Sequence, residues 1–374
     1  MIKIFLKDFM RNFYLICCLV LFYFNANSQN LSAEVLDFEE RPIEGVKVFY
    51  DQTTISTFTD KNGVFELPVN IFIPEPKLIF YHPNYELHEV SAAKELRSEY
   101  YLKAKLETKK DDSWNDHSDT LRSQKLYDVF RENFLGKSFN TRKTKILNED
   151  VIQVKFDTLN YILEAKASQP LQIQNEALGY QMEYHIKDFK VEYSADTLSE
   201  FFIDYKFLYG YSLFKDIGSS QRKERKERAK AFENTLNHFF VQIINEKFRE
   251  IRSKVGTEEG RIRPRKMFYV QKLDNGTYKL SLQDKMLSLS DDGDFKFYIK
   301  PHNSLQGTKT YRYDVDGFPY AENRSTEVIS FRPYLLVDRF GNLLDNEYFE
   351  VSGEILEIDL SDMLPLEYNL NSKK

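Results

Sequence analysis

The residues most able to do chemistry in this chain are its histidines and carboxylates, and their spacing assembles no recognisable site. Six histidines are present: His82, His88, His117, His185, His238 and His302. None stands in H-E-x-x-H, whose helical spacing sets two imidazoles on one face around zinc. His185 and Asp188 are three apart on an alternating, strand-like segment, where i and i+3 point to opposite faces. His238 sits between Asn237 and Phe239 on a helical pattern and reads as a hydrogen-bonded structural residue. Two acidic stretches, Asp291-Asp292-Gly293-Asp294 and Asp314-Val315-Asp316-Gly317, could offer oxygens to Ca²⁺. An EF-hand loop needs Glu at its twelfth position. That position is His302 counted from Asp291 and Ser325 counted from Asp314, so both stretches read as Asp-rich turns. No G-x-S-x-G elbow, Gly-rich phosphate loop, G-x-G-x-x-G or C-x-x-C occurs. A glycosidase carboxylate pair meets only in three dimensions, and the 58 acidic residues single out no such pair. No catalytic, cofactor-binding or metal-binding residue is assigned, and no cofactor is expected. The polar group Arg228, Asn237 and His238 is noted without a role.

The elements that would position any site begin behind an export signal. Lys3, Lys7 and Arg11 form a basic start, Phe13 to Phe24 is an apolar run, and Ala26-Asn27-Ser28 supplies small residues for cleavage before Gln29. The run is shorter than a bilayer span; an uncleaved anchor is the alternative. Cys17 and Cys18 lack the small preceding residue of a lipobox, with Ile16 ahead of them. Both fall in the removed segment 1–28, so the exported chain holds neither disulfide nor thiolate. Its stability must come from burial, which a chain of this length can supply.

Charge narrows the partners. Lys3, Lys7 and Arg11 against Asp8 leave +2 in the signal, so removing it takes the net charge from −6 to −8. An acidic chain is a poor general binder of nucleic acid or anionic lipid. The chain has 31 Phe and 24 Tyr, spread evenly, which reads as the filling of a β-rich core rather than a stacking surface.

Short alternating runs over 29–106, separated by turn residues, predict a seven-stranded β-sandwich. The polar stretch 107–120, ETKKDDSWNDHSDT, predicts a linker. Residues 121–374 predict a larger antiparallel β-rich α+β domain. Leu121 to Phe134 has helical spacing stopped by Gly136. Strict alternation in YQMEYHIKDFKVEY predicts paired strands with one wet face. One long amphipathic helix is expected from Ser219 to about Lys254, ended by Gly256 and carrying Ala229, Phe232, Leu236, Phe239, Phe240, Ile243, Ile244, Phe248 and Ile251 as its stripe. Its basic start, RKERKERAK, reads as a solvated face with pairs such as Glu224 and Arg228. The pattern MFYVQKL-DNG-TYKLSL predicts a hairpin. Further strands are expected at 295–299, 309–315, 327–337 and 354–360.

Pro42-Ile43-Glu44-Gly45-Val46 and Thr59-Asp60-Lys61-Asn62-Gly63-Val64-Phe65 resemble the carboxypeptidase regulatory-like, or prealbumin-like, β-sandwich. This copy has Ala33-Glu34-Val35 where the family carries Gly. The rest is similar to Bacteroidetes carboxypeptidase-like regulatory domain-containing proteins. Phe134-Leu135-Gly136, Lys145 to Asn148, Ala177 to Tyr180, Ala231 to Phe239 and Asp362 to Tyr368 carry that likeness. Asn234-Thr235 stands where the family has Gly-Ser. The resemblance implies an exported two-part protein and no peptidase activity; such modules precede envelope proteins, including TonB-dependent receptors.

The expected function is therefore a non-enzymatic cell-envelope protein, periplasmic or outer-membrane associated, acting as a binding or assembly module. Its partner is an envelope protein or a glycan; a glycan-binding or glycan-active protein is the alternative. A membrane-spanning barrel is disfavoured by the helix and by the polar end Asn369 to Lys374.

Overall fold

The computed structural model describes residues 30–368 except 69–76, 92–96, 106–119, 219–220, 234, 252–253, 258–259, 275, 284–294, 301–310, 314–318, 322–325, 345–347 and 353–358. The signal segment, the linker up to residue 119, both Asp-rich stretches, and most of the strand expected at 354–360 lie outside the described residues. The protein is mainly β, with several antiparallel sheets and few helices, as the pattern predicts.

Seven strands form the first unit: β1 Asn30–Asp37, β2 Lys47–Tyr50, β3 Ser56–Phe58, β4 Val64–Pro68, β5 Lys77–Tyr81, β6 His88–Ser91 and β7 Glu99–Leu102. They make two sheets, β4-β1-β7 and β3-β2-β5-β6. Val35, Val46, Val48, Phe65, Leu67, Leu78, Phe80 and Leu102 fill the space between. The motif residues earn their places physically. Buried Thr59 donates its hydroxyl to Ile43 O at 2.6 Å and accepts from Val46 N at 2.9 Å, stitching two loops together.

One five-residue turn recurs three times. At Asp60, Oδ1 accepts from Asn62 N and Val64 N, both at 2.9 Å, and Gly63 N reaches Asp60 O. At Asp338, Oδ1 accepts from Phe340 N and Asn342 N, and Gly341 N reaches Asp338 O. At Asp37, Oδ1 accepts from Glu39 N and Arg41 N, and Glu40 N reaches Asp37 O. The fourth position needs a left-handed backbone, with φ of 74° at Gly63, 87° at Gly341 and 60° at Glu40. Glycine takes that conformation without strain and glutamate does not. Glu40→Gly is expected to stabilise the protein by about 0.5–1 kcal/mol, read as a higher thermal midpoint; a lower midpoint would contradict the account.

Helix α1, Thr120–Leu135, then covers a six-stranded sheet. Its strands are β8 Thr144–Ile146, β9 Ile152–Asp157, β10 Ile162–Ala167, β11 Leu171–Asn175, β12 Tyr180–Tyr193 and β13 Ile203–Asp216. β12 pairs with β13 along one edge and with β11 and β10 in succession along the other. Phe130, Phe134, Leu163, Leu171, Ile173, Phe189 and Val191 make the core beneath the helix. The alternation expected of β12 is broken. Tyr180, Met182 and Tyr184 face the core, and so do Phe189, Val191 and Tyr193. A register shift between Ile186 and Asp188 absorbs the odd step, as a β-bulge does.

The single long helix is replaced by two. α2 spans Gln221–Glu233 and α3 spans Leu236–Ile244. Thr235 makes the break: its hydroxyl accepts from His238 N at 3.1 Å and donates to Phe232 O at 2.8 Å, an N-cap geometry that starts a new helix. Glu246, with φ 55°, ends α3, and Gly256 lies in a strand instead. The apolar stripe is shared out accordingly. Phe239, Phe240, Ile243 and Ile244 enter a third core with Val255, Phe268, Phe295, Phe297 and Val328.

That core fills a second pair of sheets. The strands are β14 Lys254–Thr257, β15 Gly260–Ile262, β16 Phe268–Lys272, β17 Tyr278–Leu282, β18 Phe295–Lys300, β19 Tyr311–Tyr313, β20 Pro319–Ala321, β21 Thr326–Ser330, β22 Tyr334–Val337, β23 Leu343–Leu344 and β24 Phe349–Ser352. The sheets are β15-β14-β18-β21-β24 and β16-β17-β22-β23, while β19 and β20 pair with each other in a separate two-stranded sheet. The predicted hairpin is β16–β17, paired from Phe268↔Leu282 to Lys272↔Tyr278. The strand expected at 327–337 is two strands, parted around Pro333, which has no N–H for a ladder.

The end of the chain returns to the middle sheet. Asp359 Oδ2 accepts from Lys137 N and Ser138 N at 2.9 and 2.8 Å. Asn175 Nδ2 donates to Ser361 O at 2.7 Å. Leu366 N then donates to Gln52 O at 2.9 Å, in the first unit. This segment straps the two units together.

Candidate functional site

The first sandwich meets the outer face of the middle sheet. Phe49 and Ile79 pack on Tyr211, with Tyr81, Leu87, Tyr209 and Leu213 around them. The loop after β2 also pairs with the edge of β13: Gln52 N donates to Ser212 O, Phe214 N donates to Thr53 O, and Ser212 N donates to Asp51 Oδ1 at 2.8 Å.

Beside this junction opens a cleft of about 860 Å³. Lys47, Thr54, Ser56 and Phe58 line it from the first sandwich. Gln172, Gln181, Glu183 and Lys215 line it from the middle sheet, Arg225 and Arg228 from α2, and Pro365, Glu367 and Tyr368 from the strap.

The polar lining is preset. Glu183 lies on the outward face of β12, opposite Leu213. Its carboxylate pairs with Lys47 and accepts from His185 Nε2 at 3.0 Å. Burial raises the Glu183 carboxyl, but the hydrogen bonds from His185 and Lys47 outweigh it and bring it down to about 2. Gln172 reaches Glu183 at 3.5 Å and accepts from Gln181 at 3.3 Å, extending the ladder across two strands. Across the cleft, Glu367 Oε1 accepts from Thr54 N and Oγ1 at 2.7 and 2.6 Å, while Glu367 Oε2 has no hydrogen-bond partner among the described residues.

Arg228 holds the third wall. Its Nε and Nη2 donate to Leu178 O at 2.6 Å and Gly179 O at 3.1 Å. Nη1 and Nη2 grip Asp216 at 2.9 and 3.0 Å, and the guanidinium lies 3.9 Å over the Tyr180 ring. Burial raises the Asp216 carboxyl, yet the bonds from Arg228 and Gly218 N keep it below its ordinary value. The basic run is therefore not wholly a solvated face. Arg225, Arg228 and Ala229 precede Phe232 by seven, four and three residues, the spacing that shares a helix face, and this was the available signal.

The noted group does not assemble. Arg228 faces the cleft, whereas Asn237 donates to Asn342 in the third unit. His238 Nδ1 meets Glu233 O at 3.1 Å, and its ring tilts on Phe232 at 5.3 Å. Burial lowers its proton affinity, against the pull of Glu233 O. His238→Ala is expected to cost about 1–2 kcal/mol through the lost hydrogen bond and ring contact, measured by denaturant titration; unchanged stability would contradict this.

His185 and Asp188 share a face, contrary to expectation, because the bulge resets the alternation: they oppose Tyr211 and Tyr209 on β13. They serve separate partners, since Asp188 pairs with Lys190 at 3.4 Å. His82 accepts from Asn84 N, and His88 packs on Phe80. Among the described residues, no group of three or more His, Asp or Glu is arranged to hold a metal, and no helix is long and apolar enough to cross a membrane.

Residues near 50, 180, 215, 228 and 367 converge on this cleft only through the fold, so no local spacing announces it. No protein-family model and no curated protein matches the chain.

Proposed function

We propose that this is an exported, non-enzymatic cell-envelope protein that acts as a binding module through the cleft between its first sandwich and its middle sheet. In this reading the first sandwich is a carboxypeptidase regulatory-like module and the protein is periplasmic or associated with the outer membrane. The observation that carries the reading is the preset cleft itself. Binding sites are concave, largely formed in advance and equipped with a few fixed polar groups, and this one has them on four walls.

The same groups argue for holding rather than reacting. Glu183, brought down to about 2, has no proton to donate near neutrality, and a base that weak takes none readily. Asp216 is gripped by Arg228. The pairs Lys47–Glu183 and Arg228–Asp216 neutralise much of the cleft's charge, so a polar but predominantly uncharged ligand fits.

A glycan is the reading favoured for the ligand. Phe58 and Tyr368 offer ring surface beside Gln172, Gln181, Thr54 and Ser56, and a sugar presents an apolar ring face together with hydroxyls that donate and accept. A screen of thermal unfolding against neutral oligosaccharides and extended peptides tests this. A ligand at one hundred times its Kd stabilises by about 2.7 kcal/mol, so a clear upward shift with oligosaccharides is expected. Shifts with peptides alone would assign the cleft to an envelope protein. No shift with either class would remove the reading.

A further inference from the structure

The charged side chains that line the cleft fall into two groups. Four answer one another, as Lys47 with Glu183 and Arg228 with Asp216. The other three are Lys215, Arg225 and Glu367. Glu367 is turned inward: its Oε1 accepts from Thr54 N and Oγ1, and its Oε2 is shut away from solvent. Lys215 is exposed and has no ion pair among the described residues. It stands on β13 directly opposite Gln181 on β12. Opposed residues of paired strands share a face of the sheet, and both of these line the cleft. Arg225 is exposed and reaches the same cleft from α2, three residues before Arg228.

We infer, on the reading of the cleft as a glycan site, that the glycan carries an acidic group, a carboxylate, met by Lys215 and Arg225. The acidic residues of α2 close to Arg225 do not cancel it in the cleft. Glu224 is folded against Gly179 and Gly218, and Glu227 is held by Lys230 at 2.9 Å; neither lines the cleft. The accessible lining therefore ends with two cations, in a chain whose net charge is −6. A guanidinium presents paired N–H groups in the plane of a carboxylate, and an ammonium adds a point charge.

The paired groups decide where the acid can sit. An anion brought to Lys47 or Arg228 meets Glu183 or Asp216 already in place, so the acidic group is confined to the reach of Lys215 and Arg225. The rest of the ligand meets Phe58, Thr54, Ser56 and the glutamine amides, where neutral sugar fits. A densely charged polymer is disfavoured by the negative field of the whole chain. The chemistry that matches is a mainly neutral glycan with an occasional uronic acid.

The test is calorimetric titration with matched pairs. Each neutral oligosaccharide of the thermal screen is compared with the same chain carrying one hexose oxidised to the hexuronate, so the members differ by one carboxylate. At low salt at least one hexuronate is expected to bind the wild type about fivefold tighter than its parent, the upper range for a solvent-exposed ion pair. High salt should shrink that gain, because exposed charges are screened. Lys215→Gln with Arg225→Gln is expected to erase it, and Lys215→Gln alone, at an exposed position with no ion pair to lose, to reduce it. Lys223→Gln with Lys226→Gln removes the same charge from exposed positions of α2 outside the lining and is expected to keep it. Equal affinity within every pair would overturn the acidic group and leave the cleft as a site for neutral glycan. Binding by neither member of any pair would overturn both. A gain that survives loss of Lys215 and Arg225 but vanishes with Lys223 and Lys226 would also overturn the inference and assign the acid to the outer face of α2.

Discussion

Replacing Arg228 by alanine is expected to destabilise the protein by about 1–3 kcal/mol, because the guanidinium is largely buried while its partner Asp216 is half exposed and the charge pair is screened. The side chain is 12% exposed and makes four hydrogen bonds. Its loss strands the carbonyl of Leu178, leaves Gly179 O to Ile217 N and the Asp216 carboxylate to Gly218 N, and uncovers the Tyr180 ring. These groups lie on β12, β13 and the turn between β11 and β12, while Arg228 comes from α2, so the substitution unfastens a helix from the sheet beneath it. Arg228→Lys should recover less than half of the loss, because an ammonium cannot reach two carbonyls and both carboxylate oxygens while lying flat on a ring. Denaturant titration of the three proteins checks this. Full recovery by lysine would show that charge alone matters and would contradict the geometric account.

The second large effect concerns pH. Burial of Asp51 at the junction of the two units raises its carboxyl to about 6, against hydrogen bonds from Ser212 N and Gln52. Burial raises Asp338 to about 6 as well, against the bonds of its own turn. In the unfolded chain both titrate near 3.9. Between about pH 4 and pH 6 the folded state then binds more protons than the unfolded state, so stability falls as pH rises through that window and is flat above it. Glu183 has the opposite sign. Its folded value of about 2 lies below its ordinary 4.5, so its contribution is present above pH 4.5 and is lost as pH falls toward 2. Asp51 and Asp338 therefore favour pH 4.5 over pH 7.5, while His238, whose proton affinity burial lowers, works against them in that window. Asp51→Asn keeps an oxygen for Ser212 N and removes the buried charge. It is expected to add about 1–3 kcal/mol at pH 7.5 and much less at pH 4. Equal effects at the two pH values would show that the carboxylate is not the cause.

Local chemistry was readable where it is self-contained. The turn Asp60 to Gly63 needs only its own carboxylate and one glycine, and the hairpin through Gly276 needs only alternation and a left-handed residue. The seven strands of the first sandwich follow the same logic. The break at Thr235 was hidden because the apolar stripe runs through it: Phe232 and Phe239 keep helical spacing while packing in different units. The bulge near Lys187 was hidden because alternation looks continuous in a list of residues, and only pairing with β13 reveals the extra one. The cleft was least legible. Its walls come from four distant stretches, and Glu367, near the end of the chain, takes its place there only because Asp359 and Ser361 anchor the strap upstream.

The most direct test of the central claim is a calorimetric titration of the best oligosaccharide from the thermal screen into the wild type and into Gln181→Ala. Gln181 lines the cleft on the outward side of the sheet and contacts Gln172 rather than the core, so the variant should fold normally. A single site is expected on the wild type and at least tenfold weaker binding by the variant, the loss of about 1.4 kcal/mol expected when one polar contact is removed. Equal affinity in the two proteins would place the ligand elsewhere and contradict the assignment of the cleft.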